Sequence, residues 1–141
     1  MKITNIRCRP VAAPMKRPLA TSVATLTASA LLLIDLETDA GIVGRSYLFG
    51  MGKHNLPPMA KLVEAMAEMI NGDPVAPFEL ERKLRARYAL LGVHNVVLIA
   101  MAGIDMAAWD ALAQSLGGDE NEVRFRENSL RFLRTHFRPS R

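Results

Sequence analysis

The chain has 141 residues, of which half are hydrophobic and 23% are charged, and its formal net charge is +4. This length is typical of a single globular domain that buries a substantial core. Residues 117–141 hold six Arg and no Lys, so a disproportionate share of the excess positive charge lies there. A nucleic-acid groove needs a basic stripe on the folded surface, so we expect no nucleic-acid partner.

Three β-strands are predicted near the N-terminus. The first spans residues 2–14, where Pro10 and Pro14 limit pairing and favour an edge position. The second spans residues 30–38, and a short turn ending in glycine joins it to the third, residues 42–49. A short turn between two apolar runs indicates a hairpin, so we expect an antiparallel three-stranded meander.

Residues 18–29 carry no charge and combine small and hydroxylated residues with Leu19, Val23 and Leu26. Such a segment between two strands predicts a flexible loop or flap. The alternative is an extended hairpin arm in which the leucines pack.

Two helices are predicted after the strands. The first runs from Pro58 to Ile70, and we interpret its Met-rich apolar stripe as core packing rather than a ligand site. The second opens at Pro77 and ends at Gly92. Its buried stripe is predicted to consist of Leu80, Leu84, Tyr88 and Leu91.

A third helix is predicted from Asn95, a suitable N-cap residue, to Leu116. It is apolar on nearly all sides from Val96 to Leu112, and a helix of that kind must be buried by something. Because few other elements are available, we expect one face of it to meet a partner domain. The fold class is therefore α+β, a three-stranded antiparallel meander followed by a bundle of three or more helices.

Three features favour a cytoplasmic protein without a membrane span. The N-terminus carries no apolar signal segment. The longest apolar run, Val96 to Ile104, is too short to cross a bilayer. The single cysteine, Cys8, is interpreted as a buried or half-buried residue of the first strand.

The sequence has no phosphate-binding loop, no zinc spacing and no serine nucleophile motif. His54, His94 and His136 are scattered and are expected at the surface. Asp105 and Asp110 lie in the apolar third helix at a spacing that points them to different faces, so they are no acid–base pair. We expect one or the other to bind an Arg or backbone N–H groups.

Three stretches in order resemble a known family. They are Leu31–Leu36 with Gly41–Phe49, then Met66–Ile70 followed by Pro74–Pro77, and then Ala102–Leu112, the most specific. Together they make residues 3–116 similar to the N-terminal capping domain of the mandelate racemase/muconate lactonizing enzyme group of the enolase superfamily.

The resemblance implies a lid that closes over a substrate at the mouth of a catalytic barrel. Its two loops match residues 18–29 and 46–54. The implied substrate-binding lid residues are Leu19, Val23, Leu26, Tyr47, Phe49 and Met51. The alternative for all six is ordinary packing of loops and strand ends.

The family's reaction, as the resemblance implies it, is Mg²⁺-assisted proton abstraction next to a carboxylate, with base and metal ligands supplied by the barrel. No residue of this chain matches those positions, so we expect no catalytic residue, no metal ligand and no cofactor in it. The predicted function is the cap of a racemase or dehydratase acting on 2-hydroxy or sugar acids. We expect the chain to be cut off before its barrel, inactive alone and homo-oligomeric.

Two alternatives remain open: a stand-alone protein-interaction module, and a cap that docks a separately encoded barrel. Residues 1–116 form the predicted capping domain. Residues 117–141 form an atypical Arg-rich tail outside the family fold, which we interpret as an out-of-frame or vector-derived extension.

Overall fold

The computed structural model of the chain describes residues 1–117. The predicted tail and His136 lie outside them. Three antiparallel strands in the order β1-β2-β3 precede three α-helices, which confirms the predicted α+β fold. The elements are β1 (Ile3–Ala20), β2 (Thr25–Thr38), β3 (Val43–Phe49), a short 3-10 turn (Lys53–Asn55), α1 (Leu56–Ile70), α2 (Pro77–Arg87) and α3 (Asn95–Ser115).

The sheet has two different faces because successive side chains of a strand point to opposite sides. On β2, Leu32, Ile34 and Leu36 are fully buried against the helices. The intervening residues of β2 face the other way, and in register they pair Leu33 with Tyr47 and Leu31 with Phe49. We call this second side, which the described helices leave partly exposed, the outer face.

The predicted loop at residues 18–29 is wrong, and the alternative reading as a hairpin arm is right. β1 continues to Ala20 and β2 begins at Thr25, so the first strand is longer than predicted. Pairing is regular from Asn5 opposite Glu37 to Pro14 opposite Ala28 and resumes at Leu19 opposite Leu26, with an irregularity between Pro14 and Leu19. The β-branched residues of this segment, threonine and valine, favour strand pairing. The absence of charge had suggested a loop instead.

Two helix details also differ from prediction. α2 ends at Arg87, because the chain leaves the helix in a turn in which the Gly92 N–H donates to the Tyr88 carbonyl. Leu91 is therefore 69% exposed and is not part of the buried stripe. Asn95 is not the N-cap of α3: His94 occupies that position, and Asn95 begins the helix with a φ of 51°.

α3 packs closely on the sheet because glycine stands at two contact points. A Cβ atom on Gly44 of β3 would lie 2.0 Å from the Ala107 carbonyl oxygen. A Cβ atom on Gly103 of α3 would lie 2.6 Å from Cδ1 of Ile34. Gly44 therefore allows an approach to the α3 backbone that a larger residue would prevent, whereas Gly103 leaves room for the side chains of Ile34 and Leu48.

α3 also closes the free edge of β3. The Arg45 N–H donates to Oδ2 of Asp110 over 2.7 Å, and Nε2 of Gln114 donates to the Val43 carbonyl over 2.9 Å. The Ser46 hydroxyl donates to the Gly103 carbonyl over 2.6 Å. The predicted role of Asp110, binding a backbone N–H, is confirmed.

By length and composition α3 could also cross a membrane, with a mean hydropathy of 1.7. Its apolar content has another explanation, since eight of its residues are buried against the rest of the domain. Such a core helix passes the same test of length and composition as a membrane span, so α3 gives weak support for a membrane location.

Candidate substrate-capping end of the domain

The two predicted lid segments leave the sheet at the same end. β3 ends at Phe49, which pairs with Leu31, and the next N–H, of Gly50, donates to the Ala30 carbonyl over 2.8 Å. Beyond that point β1 and β2 continue as a two-stranded ribbon, which we call the arm. Residues 25–30 of β2 lie in it, so the arm extends roughly 20 Å past β3.

The arm carries three of the predicted lid residues. Leu19 and Leu26 are directly opposite each other across the ribbon, and Leu19 is 49% exposed. Val23 lies in the turn at the tip and is 92% exposed. The Thr21 hydroxyl orders this turn by donating to the Ala24 carbonyl and accepting from the Ala24 N–H. The tip is therefore a defined, apolar and exposed projection.

The second segment is a tight turn at the end of β3, formed by Gly50, Met51 and Gly52. The Gly52 N–H donates to the Gly50 carbonyl over 2.7 Å, which closes the turn around Met51. Met51 has a φ of 59°, a left-handed value that is uncommon for a residue with a side chain, and it is 66% exposed. We call these three residues the Met51 turn.

Tyr47 and Phe49 lie on the outer face, where they are 62% and 39% exposed. Strand alternation puts Leu26 on the opposite side, the side shared by Leu32. The six predicted lid residues are therefore at one end of the sheet but do not form one wall. Leu19 pairs with Leu26, Val23 and Met51 occupy two tips, and Tyr47 and Phe49 share the outer face.

The segments that form this end, residues 14–30 and 46–54, contain no Asp or Glu, although Lys16, Arg17, Lys53 and His54 lie in them. His54 and His94 are exposed, as predicted for them. Within residues 1–117 no group of three or more His, Cys, Asp or Glu is arranged to hold a metal ion. The arrangement can exclude water and contact an apolar group, and it offers the described chain no proton-transfer pair.

Cys8 is half-buried in β1, as predicted, and is a poor nucleophile. Burial, and then the charges of Glu64 and Asp35, raise the pKa of its thiol from an ordinary 9.0 to about 11. Since the thiolate is the reactive form, a thiol with this pKa is largely unreactive near neutral pH.

A further feature is an apolar stripe along α3 and the residue that follows it, formed by Ile99, Met106, Trp109 and Leu116, all exposed. The ring of Phe78 meets Trp109 edge to face, with centroids 5.3 Å apart. Asp105 is beside this stripe. Burial, then the Glu81 charge, raises the pKa of its carboxyl, and a hydrogen bond from Trp109 partly offsets the rise. An exposed apolar stripe of this kind is typical of a docking surface.

Sequence reasoning missed Asn55, whose side-chain amide donates to the Gly50 carbonyl over 2.8 Å. The signal was present in the sequence. Asn55 stands where a helix N-cap is expected, but it is followed by Pro57 and Pro58, which have no N–H to offer a cap.

Comparison with known proteins gives one family. The family model described as "Mandelate racemase / muconate lactonizing enzyme, N-terminal domain" matches residues 3–119. Among solved structures, an enolase from Bradyrhizobium with bound magnesium and mandelic acid is 40% identical, with a TM-score of 0.77 over 82% of this chain and 32% of that one.

Two further structures agree. A magnesium-bound enolase from the alphaproteobacterium BAL199 is 34% identical, with a TM-score of 0.77 over 82% of this chain and 32% of that chain. A muconate lactonizing enzyme from Mycobacterium smegmatis, complexed with muconolactone, is 30% identical, with a TM-score of 0.67 over 82% of this chain and 31% of that chain. The present chain thus spans about a third of the length of these relatives.

Proposed function

The chain belongs to the mandelate racemase/muconate lactonizing enzyme family, as an N-terminal domain, and from that premise we propose that it is the substrate cap of a mandelate-racemase-like enzyme. The intact enzyme would act on a 2-hydroxy or sugar acid by abstraction of the α-proton, with racemisation or dehydration as the outcome. The observation that carries the proposal is the arm and the Met51 turn at one end of the sheet.

The cap's own contribution is to exclude water and to contact the substrate's side group. Leu19, Val23 and Leu26 of the arm and Met51 of the turn supply uncharged surface for this purpose. Removing water strengthens the electrostatic interactions inside a closed site. Tyr47 and Phe49, on the outer face, line the base of the same end and would contact the substrate or the barrel from that side.

The proposed Mg²⁺ is bound elsewhere. Residues 1–117 contain no grouping of carboxylates or histidines fit for the metal. Relatives in this family were crystallised with magnesium, which supports Mg²⁺ in the complete enzyme, held by the barrel. We therefore propose that residues 1–116 catalyse nothing without a barrel, whether the same polypeptide or another supplies it, and that residues 117–141 are not part of the cap.

The barrel is the proposed partner of the exposed stripe on α3. The stripe is apolar and includes Trp109, packed on Phe78. Aromatic residues are favoured in the buried centres of interfaces. Without a barrel, the same stripe would favour self-association, so we propose that the chain forms homo-oligomers. The single cysteine and the family support a cytoplasmic location.

A chimera tests the proposal. Residues 1–116 would replace the N-terminal domain of the Bradyrhizobium relative, and α-proton exchange would be measured on mandelate and a panel of sugar acids, with Mg²⁺ and with chelator. We expect Mg²⁺-dependent exchange by the chimera, and a reduction of kcat/KM by about tenfold in its Val23→Asp variant, because a charge at the tip would hold water in the site.

The matched control is Glu68→Lys, a charge change on the exposed side of α1, which should leave kcat/KM unchanged. Exchange by the 141-residue chain alone, surviving repurification, would contradict the assignment of catalysis to the barrel. Discrete oligomers of the chain with no exchange by either protein would favour the second candidate, an interaction module that uses the α3 stripe.

A further inference from the structure

The carbonyl of Gly50 is the point at which the Met51 turn is fixed. It accepts the Gly52 N–H over 2.7 Å and Nδ2 of Asn55 over 2.8 Å. The Gly50 N–H in turn donates to the Ala30 carbonyl at the base of the arm. The first residue of the turn is therefore held on three sides, by its own turn, by the start of α1 and by β2.

The Asn55 side chain is available for this contact because it cannot cap α1. It occupies the N-cap position of α1, where a side-chain oxygen would accept an N–H from the second or third helical residue. Those residues are Pro57 and Pro58, which have no N–H. Among the described residues the side chain makes no capping hydrogen bond, and its amide is directed back to Gly50 instead.

The conformation so held is one that the chain would not adopt readily. Met51 has a φ of 59°, a region that is disfavoured for residues with a Cβ atom. A strained residue persists where its surroundings over-determine it, and such positions occur at ligand clamps. Gly50 also packs tightly, since a Cβ there would lie 2.5 Å from Cδ2 of Leu56.

We propose that Asn55 is a positioning residue that holds the Met51 turn in one conformation. The Met51 turn is then the fixed part of the proposed lid. That the turn contacts substrate rests on the proposed function. That Asn55 fixes it does not, because the hydrogen bonds that hold it are made within the cap.

Amide hydrogen exchange in the full 141-residue chain tests the proposal, with Gly52 as the reporting amide. Asn55→Asp is the decisive variant, because Asp caps helices as well as Asn does but an ionised carboxylate donates no hydrogen bond. We expect Gly52 to exchange about 5- to 10-fold faster in both Asn55→Asp and Asn55→Ala, the loss of one typical hydrogen bond. The amide of Val63, inside α1, is the control and should keep its protection in both.

A second readout follows the side chain. The Met51 methyl group should give one sharp NMR signal in the parent chain and a broadened or doubled one in both variants, whereas the Val23 methyls should not change. The proposal would be overturned if Gly52 were as protected in Asn55→Asp as in the parent chain and Val63 lost its protection in Asn55→Ala. That result would mean that Asn55 acts as a helix cap. So would an unprotected Gly52 in the parent chain.

The failure of this proposal is distinguishable from failure of the proposed function. A fixed Met51 turn together with full activity of a Met51→Asp chimera would refute the lid and leave Asn55 as the residue that orders the turn. A mobile Met51 turn, together with a chimera whose exchange depends on Mg²⁺ and falls in Val23→Asp, would refute the role of Asn55 and leave the proposed function standing.

Discussion

The body of the domain and its arm are built from one continuous pair of strands, yet their surroundings differ. In the body, Ile34 of β2 is fully buried between the sheet and α3. Eight residues further towards the N-terminus on the same strand, Leu26 is paired with Leu19, and Leu19 is half-exposed. The body is stabilised by burial of the inner face of the sheet against the helices, and the arm by its own cross-strand pairs and turn.

One strand pair can therefore serve two purposes. Side chains in the body are constrained by close packing, so substitutions there alter the stability of the fold. Side chains in the arm have few neighbours, so they can vary with the ligand at little cost to the fold. Each prediction below sets a change in the body against a matched change in the arm.

Gly44→Val should have the largest effect. A Cβ at position 44 would lie 2.0 Å from the Ala107 carbonyl oxygen and 2.8 Å from Cβ of Ala111, both on α3. Since backbone must move to relieve this overlap, we expect a loss of about 3 kcal/mol or more in the free energy of unfolding, measured by urea titration. Ala20→Val introduces the same side chain at an exposed position of the arm, adding two carbon atoms rather than three, and should cost under about 0.5 kcal/mol. Equal losses would show that the arm is packed as tightly as the body.

Cysteine reactivity should separate the two regions by about two orders of magnitude. The Cys8 thiol has a pKa raised by burial to about 11, so at pH 8 its thiolate fraction is about 100-fold below that of an ordinary cysteine. In a Cys8→Ser, Val23→Cys chain, the thiol at the 92%-exposed tip should react with iodoacetamide at the ordinary rate. Similar rates in the two chains would contradict the burial of Cys8.

The same pKa shift has a consequence for stability. The folded thiol has the higher pKa, so the neutral form favours the folded state, and this contribution is complete below pH 9. It is lost as the pH rises from 9 to about 11, where the folded thiol also ionises. Cys8→Ser should therefore flatten the fall in thermal stability across this window, while Val23→Cys should add no such fall.

Removal of Asp110 should have a smaller effect on stability. Its carboxylate accepts the Arg45 N–H over 2.7 Å and Nε2 of Gln114 over 2.7 Å, which secures α3 to the edge of β3. Asp110→Ala should lower the free energy of unfolding by about 1.5 kcal/mol, and Asp110→Asn, which keeps an acceptor oxygen, by less. Thr21→Ala removes a comparable acceptor from the arm and should fray only the tip. If Thr21→Ala lowered the free energy of unfolding of the whole domain, the arm would have to unfold cooperatively with the body.

The body was predictable from sequence because apolar residues recur along its helices at regular spacing. Helical spacing on α1 predicted a core stripe, and its Val63 and Met66 are fully buried, as are Leu32 and Ile34 of the second predicted strand. The predicted stripe of α2 was right at Leu84 and wrong at Leu91, because no local signal showed that the helix stops at Arg87.

The arm was harder to predict, since pairing between Leu19 and Leu26 depends on the partner strand rather than on local periodicity. The six residues that the family resemblance singled out lie at one end of the sheet, and their role as a lid stays a prediction. The resemblance could not show that Tyr47 is on a different face from Leu26, which follows from register, nor that Asn55 orders the Met51 turn, which follows from a contact five residues away.

The smallest expected effect on stability is that of Leu19→Ala. Leu19 is half-exposed and opposite Leu26, so the substitution removes one cross-strand contact, worth about 0.5 kcal/mol. If the arm opens independently of the body, the melting temperature should not change, while amides of Ala20 and Leu26 should exchange about twofold faster. Leu26→Ala should do the same, and the double variant little more, because the two changes remove one contact. A fall in the melting temperature as large as that of Asp110→Ala would mean that the arm unfolds with the body, and a lid that closes by moving the arm would then have to open the core.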